Sequence, residues 1–184
     1  MTDKIKIALA QINPKLGDVA GNIARISRAR AEAAAGGADL VLAPELVVSG
    51  YPPEDLVLKP AFQDACRKGV ETLAAETADG GPAIIVGSPW VENGKLHNGA
   101  FLLGQGKILA KRFKYDLPNY GVFDEKRVFA AGPIPGPMRL PLRGGGAVRL
   151  VEIPAGTWHS LVALEPGTLV VEVKPGPYQP TSEA

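Results

Sequence analysis

Two charged residues stand where a charge is awkward. Glu45 follows an apolar segment in LVLAPELVVSGYPPEDL, and Lys114 follows a second one in KRFKYDLPNYGVFDEKRVF. A carboxylate at one strand end and an ammonium at another can face each other across a pocket floor. Such a couple suits acyl transfer: the glutamate takes and returns protons, and the lysine stabilises a developing oxyanion. The part still required is a nucleophile. The same placement also suits a plain ion pair, or two charges at solvated strand ends. The residues alone leave both readings open.

The elements that would carry this couple follow from periodicity. Residues 4–11 alternate and then run apolar, as a buried edge-to-centre strand does. Asn13-Pro14 and Gly17-Asp18 mark a loop. Asp18 or Asn22 can cap a helix whose apolar face is Ile23, Ile26, Ala33 and Ala34, ended by Gly36-Gly37. Residues 39–43 read as a second strand, buried on both faces. Pro60 can open a helix running to about Ala78, which Gly80-Gly81-Pro82 breaks. Strand three is predicted at 83–88. A hairpin is predicted over 96–103 and 107–113, around Gly104-Gln105-Gly106. Strand–helix–strand–helix–strand spacing argues for an α/β sheet. His97, at the start of a strand, reads as a surface residue.

From Gly132 the texture changes to GPIPGP and RLPLRGGG. The expected division is therefore 1–131, a Gly/Pro-rich seam at 132–146, and an all-β piece at 147–184. The last is too short to be a domain alone.

Composition excludes several classes. The chain of 184 residues is 46% hydrophobic and 21% charged, as a globular protein is. Its net charge of +1 gives no bulk reason to expect a nucleic-acid partner. No apolar run reaches the roughly 18 residues of a membrane span, and the first residues lack a signal-peptide core. A cytoplasmic protein with no membrane partner is the expectation. One cysteine allows no intrachain disulfide and no Cys-based zinc site.

The stretch 4–137 resembles the N-terminal glutaminase domain of bacterial glutamine-dependent NAD synthetases, in the nitrilase (carbon–nitrogen hydrolase) superfamily. The motifs that carry the resemblance are ALAQINPKLGDVAGN, GADLVLAPELVVSGYPPEDLVLKPAF, IIVGSPWVENGKLHN and FKYDLPNYGVFDEKRVF. It implies a nitrilase-type α-β-β-α sandwich, with Glu45 as general base and Lys114 as the lysine that stabilises the intermediate. It also implies that Tyr120 helps bind glutamine, and that Tyr51 and Phe123 line the pocket, positions that loop packing also suits. The partner implied is a small amide such as glutamine, with no cofactor for the hydrolase part. Family members assemble into oligomers, so self-association is a further expectation.

In that family the third catalytic member is a cysteine, in a pattern close to Gly-Val-x-Ile-Cys-Glu-Asp. Nothing in this sequence matches it. Cys66 shares a helical stripe with Phe62, Ala65, Gly69, Val70 and Leu73, so it should face the core. Removing a triad nucleophile lowers kcat by about 10⁶-fold in a serine protease. The expectation is a domain of hydrolase lineage without turnover, its sandwich incomplete. The family's ATP-using half carries a Ser-Gly-Gly-x-Asp-Ser loop, and Gly144-Gly145-Gly146 lacks the Ser and the following helix that such a loop needs.

Residues 147–180 resemble the end of a small cupin-fold metalloprotein. The run from Pro154 through Gly156 to His159 fits Pro-x-Gly-x-x-His, a histidine that ligates metal in cupins. The chain holds two histidines, so a three-histidine site within it is excluded. No metal is expected there, and His159 is the one weak candidate ligand. A metal- or sugar-binding module, or a non-catalytic fusion remnant, are the alternative readings.

Overall fold

The structure, a computed structural model, describes residues 5–121, 123–134, 136–141 and 147–150. All of these fall within one compact unit, Met1–Ile153. Its elements are β1 (Ile7–Leu9), α1 (Val19–Ala35), β2 (Leu40–Leu42), α2 (Pro60–Glu76), β3 (Ala83–Glu92), β4 (Lys95–Gly104), β5 (Lys107–Phe113), α3 (Glu125–Val128), β6 (Met138–Pro141) and β7 (Ala147–Leu150). Short 3-10 helices occupy Glu54–Leu58 and Thr77–Asp79.

Five strands form one sheet in the order β1-β2-β3-β4-β5. The first three are parallel, and β3, β4 and β5 form an antiparallel meander. Strands that follow one another in one direction through right-handed crossovers put both helices on the same face. Ile26 of α1 and Cys66, Val70 and Leu73 of α2 accordingly pack with Val41, Ile84, Val86, Phe101 and Leu103 in one buried cluster. Each such side chain contributes roughly 1.5–3 kcal/mol by leaving water. The side chains between them in sequence point to the other face. There Leu40 and Leu102 are buried against Leu140 of β6.

Asp18 caps α1, accepting from the Gly21 N–H at 3.0 Å. Gly36 and Gly37 end it, the latter at φ +73°. Helix α2 stops at Glu76, and the 3-10 turn Thr77–Asp79 carries the chain on to Gly80. The predicted hairpin forms, with Gln105 and Gly106 both at positive φ. That is the type I′ geometry whose twist matches the strands.

Four expectations differ from the structure. The first strand, expected buried over 4–11, is confined to Ile7–Leu9 at the edge of the sheet, with Leu9 67% exposed. Strand β3 continues past Ser88 to Glu92 and turns through Asn93-Gly94 into β4, making a second I′ hairpin. His97 is buried rather than on the surface, 7% exposed. It lies opposite Trp90 in the β3–β4 ladder. Its ring stacks on Phe113 at 4.5 Å, and its Nδ1 lies 2.8 Å from the Ala130 carbonyl oxygen. Within the Gly/Pro-rich stretch, Met138–Pro141 forms a regular strand that pairs antiparallel with Ala147–Leu150. The rest of the expected cupin-like tail, with His159, lies outside the described residues.

Candidate active site

Glu45 leaves the C-terminal end of β2 on a tightly tied turn. Ala43 N–H donates to the Ile85 carbonyl, Val47 N–H to Pro44 and Val48 N–H to Gly87. Leu46, Val47 and Val48 are fully buried, so the turn is anchored by its apolar side chains. Asn22 of α1 reaches the same turn, donating to the Val48 carbonyl at 3.2 Å. Gly87 makes the approach to β3 feasible, because a Cβ there would sit 2.3 Å from the Leu46 nitrogen.

Lys114 follows β5 directly. Its N–H donates to the Asn98 carbonyl at 2.8 Å, and its carbonyl accepts from Gly132 at 2.8 Å. Its ammonium meets Glu45 Oε1 at 2.8 Å and Glu125 Oε1 at 2.9 Å. The structure thus brings together the two residues singled out from sequence, and it adds two more. Asn98 Nδ2 donates to Glu45 Oε1 at 2.7 Å. Glu125, at the start of α3, is a second carboxylate on the lysine.

Burial grades these groups. The Glu45 side chain is 49% exposed, Lys114 29% and Glu125 8%. Glu125 Oε2 is buried and has no hydrogen-bond partner among the described residues. Burial alone would depress the Lys114 ammonium. Its hydrogen bonds to Glu45 and Glu125, with their charges, outweigh that and hold it above its ordinary value. Glu45 Oε1 is engaged by two donors, which leaves Oε2 as the oxygen available to exchange a proton with an incoming group.

Glu45 and Lys114 each line a separate cleft. One, of about 280 Å³, is lined by Asn13, Pro14, Pro44, Glu45 and Tyr51. The other, of about 420 Å³, includes Lys114, Asp116, Asn119, Tyr120 and Lys126. The Tyr51 hydroxyl is pushed up first by burial and then by the Glu125 and Glu45 carboxylates. Tyr120 and Phe123 lie edge to face with centroids 5.5 Å apart, and Tyr120 is 70% exposed.

Cys66 is placed on α2, fully buried in the main cluster, and burial pushes its thiol up to about 12. A thiol so placed neither ionises near neutral pH nor reaches a substrate. Among the described residues, no group of three or more His, Cys, Asp or Glu is arranged to hold a metal ion. No helix among them is long and apolar enough to cross a membrane.

Glu45, just past β2, and Lys114, just past β5, are thus brought into contact across a five-stranded mixed sheet. The carbon-nitrogen hydrolase family model matches residues 6–171, and the chain belongs to that family. It is 41% identical over 164 residues to a glutamine-dependent NAD(+) synthetase of Rhodobacter capsulatus, covering 89% of this chain and 29% of that protein. A structure of the glutamine-dependent NAD+ synthetase from Acinetobacter baumannii with ADP superposes with a TM-score of 0.67 at 34% identity, covering 73% of this chain and 25% of that one. A mutant amidase from Nesterenkonia sp. AN1 superposes with a TM-score of 0.63 at 29% identity, covering 79% of this chain and 54% of that one. That amidase carries the acetamide moiety of fluoroacetamide covalently added at its active-site cysteine. The chain spans less than a third of the length of the curated synthetases it matches.

Proposed function

We propose that this chain is a glutaminase-type carbon–nitrogen hydrolase domain of NAD synthetase lineage that binds a small primary amide, glutamine foremost, without turning it over. The observation that carries the reading is Glu45 Oε1 held between Lys114 Nζ at 2.8 Å and Asn98 Nδ2 at 2.7 Å. In a complete site a cysteine thiol passes its proton to Glu45 while its sulfur attacks the amide carbon. The Lys114 ammonium faces the oxygen as it gains charge, and the proton moves on to the nitrogen, which leaves as ammonia. Water then repeats the sequence on the thioester. Relatives of this lineage would pass that ammonia to the ATP-dependent synthesis of NAD. Here the sole cysteine of the chain, Cys66, is buried and its thiol is kept protonated, so the attack has no thiolate.

The hydrolase reading is preferred to a cupin-like metal- or sugar-binding module because the family match continues to residue 171, through the segment holding His159. The test pairs two measurements on the purified chain. A coupled ammonia assay with L-glutamine is expected to stay at background. Ligand-observed NMR is expected to show saturable glutamine binding that Glu45→Ala and Lys114→Ala weaken. Ammonia release abolished by Glu45→Ala would overturn the claim of silence, and the absence of any binding would overturn the amide reading.

A further inference from the structure

Two segments that pack on one another each give an aromatic residue to a cleft, Tyr51 to the first and Tyr120 to the second. Tyr51 precedes the 3-10 helix Glu54–Leu58, while Tyr120 and Phe123 precede α3. Beneath their meeting point Val57, Leu117 and Phe129 are buried with Leu46. Above it, in solvent, one guanidinium faces three carboxylates. Arg127 donates from Nη1 to Asp55 and from Nε to Asp124, and its Nη2 lies 3.5 Å from Glu54 Oε2. Glu54 sits at φ +47°, a left-handed conformation that a non-glycine residue holds only at a cost of about 1–2 kcal/mol.

We propose that Arg127 is a positioning residue, an ionic latch that keeps the Tyr51 segment and the Tyr120–Phe123 segment closed beside the Glu45–Lys114 couple. The charge balance supports this. Without the guanidinium, Asp55 and Glu54 on one segment face Asp124 on the other, and like charges push the segments apart. The partners are 44–71% exposed, so their pairing adds little to global stability and is screened by salt. A latch of this kind shows itself in local closure rather than in melting. Its effect on ligand binding rests on the amide-binding reading above; the closure itself does not.

Hydrogen–deuterium exchange on the full chain separates the two. In Arg127→Met, exchange should rise several-fold together over 49–58 and 114–125, with the melting temperature shifted by less than about 2 °C. Wild-type protein in 1 M NaCl, where the screening length is about 3 Å, should show a smaller rise, whereas salt should lower exchange in Arg127→Met by screening the carboxylate repulsion. The charge-reversed pair Arg127→Asp with Asp55→Arg should restore protection. Unchanged exchange, a rise confined to the α3 side, or equal salt responses in wild type and variant would each overturn the latch. L-Glutamine affinity should fall about fivefold in Arg127→Met. If wild type binds no glutamine the amide reading fails, while the exchange measurement still decides the latch.

Discussion

Asn98 donates its side-chain amide to Glu45 Oε1 at 2.7 Å, and the carbonyl of the same residue accepts the Lys114 N–H at 2.8 Å. One residue of β4 therefore aims the carboxylate and fixes the backbone of the lysine. The spacing of the couple is therefore set between the β4–β5 ladder, which leads into Lys114, and the Pro44–Ser49 turn that carries Glu45.

Asn98 variants test that arrangement. Asn98→Ala should lower stability by about 1–3 kcal/mol in urea unfolding, since a buried hydrogen-bonded group is lost. It should weaken L-glutamine binding about tenfold. Asn98→Asp keeps the shape but sets a carboxylate against Glu45, so its binding loss should be the larger. Equal losses in the two variants would show that the side chain only fills space.

The contacts of Lys114 with Glu45 and Glu125 give an alkaline signature. The folded protein holds the Lys114 ammonium above its ordinary 10.5. A raised value stabilises the fold fully below the unfolded value, and the contribution is lost as pH rises through the folded one. The urea midpoint should therefore fall at pH above 10.5, shallowly, because the side chain is 29% exposed. Lys114→Met should erase that limb and cost about 3 kcal/mol at neutral pH by leaving the Glu125 carboxylate buried and unpaired. Adding Glu125→Gln should recover most of the loss in a double-mutant cycle.

How much of this was legible in the sequence follows from what each residue signals locally. Asp18, Gly36-Gly37 and Pro60 mark helix ends by their own chemistry, and the structure puts the ends there. Glu45 and Lys114 stand out because a charge interrupts an apolar run. Asn98 and Glu125 gave no such signal. Asn98 is polar beside a polar neighbour, and Glu125 lies among Asp124, Lys126 and Arg127. Their burial comes from tertiary packing, of which a single sequence carries no trace. The extension of β3 to Glu92 was readable in the Asn93-Gly94 turn. Pro89 hid it, because a proline without its N–H reads as a strand breaker although the pairing continues through it to Glu92.

Cys66 is expected to be chemically silent. With its thiol pushed up to about 12 and fully buried, its thiolate fraction at pH 8 is about 10⁻⁴. Iodoacetamide should leave the native chain unmodified by mass spectrometry and label it fully in denaturant. Cys66→Ala should cost roughly 1–2 kcal/mol as a small cavity and leave glutamine binding unchanged. Labelling of native protein at a rate near that of a free thiol would contradict the packing of α2.

Gly87 is where the sheet and the Glu45 turn come closest. A Cβ at this position would lie 2.3 Å from the Leu46 nitrogen and 3.0 Å from the Glu45 Cα, and both obstacles are backbone. No side chain can swing aside, so Gly87→Ala must push the Pro44–Ser49 turn away from β3. That strains the Val48 N–H bond to the Gly87 carbonyl, now 3.2 Å, and draws Glu45 off Lys114 and Asn98. The expected result is a loss of about 2–3 kcal/mol in stability, with glutamine binding abolished. Gly94→Ala is the matched control. It sits at φ +73° with nothing within 4 Å of its would-be Cβ, so it should cost about 1 kcal/mol of backbone strain and spare binding. Urea unfolding and an NMR titration of both variants separate the cases. If Gly87→Ala binds glutamine as well as Gly94→Ala does, the placement of Glu45 does not depend on this contact.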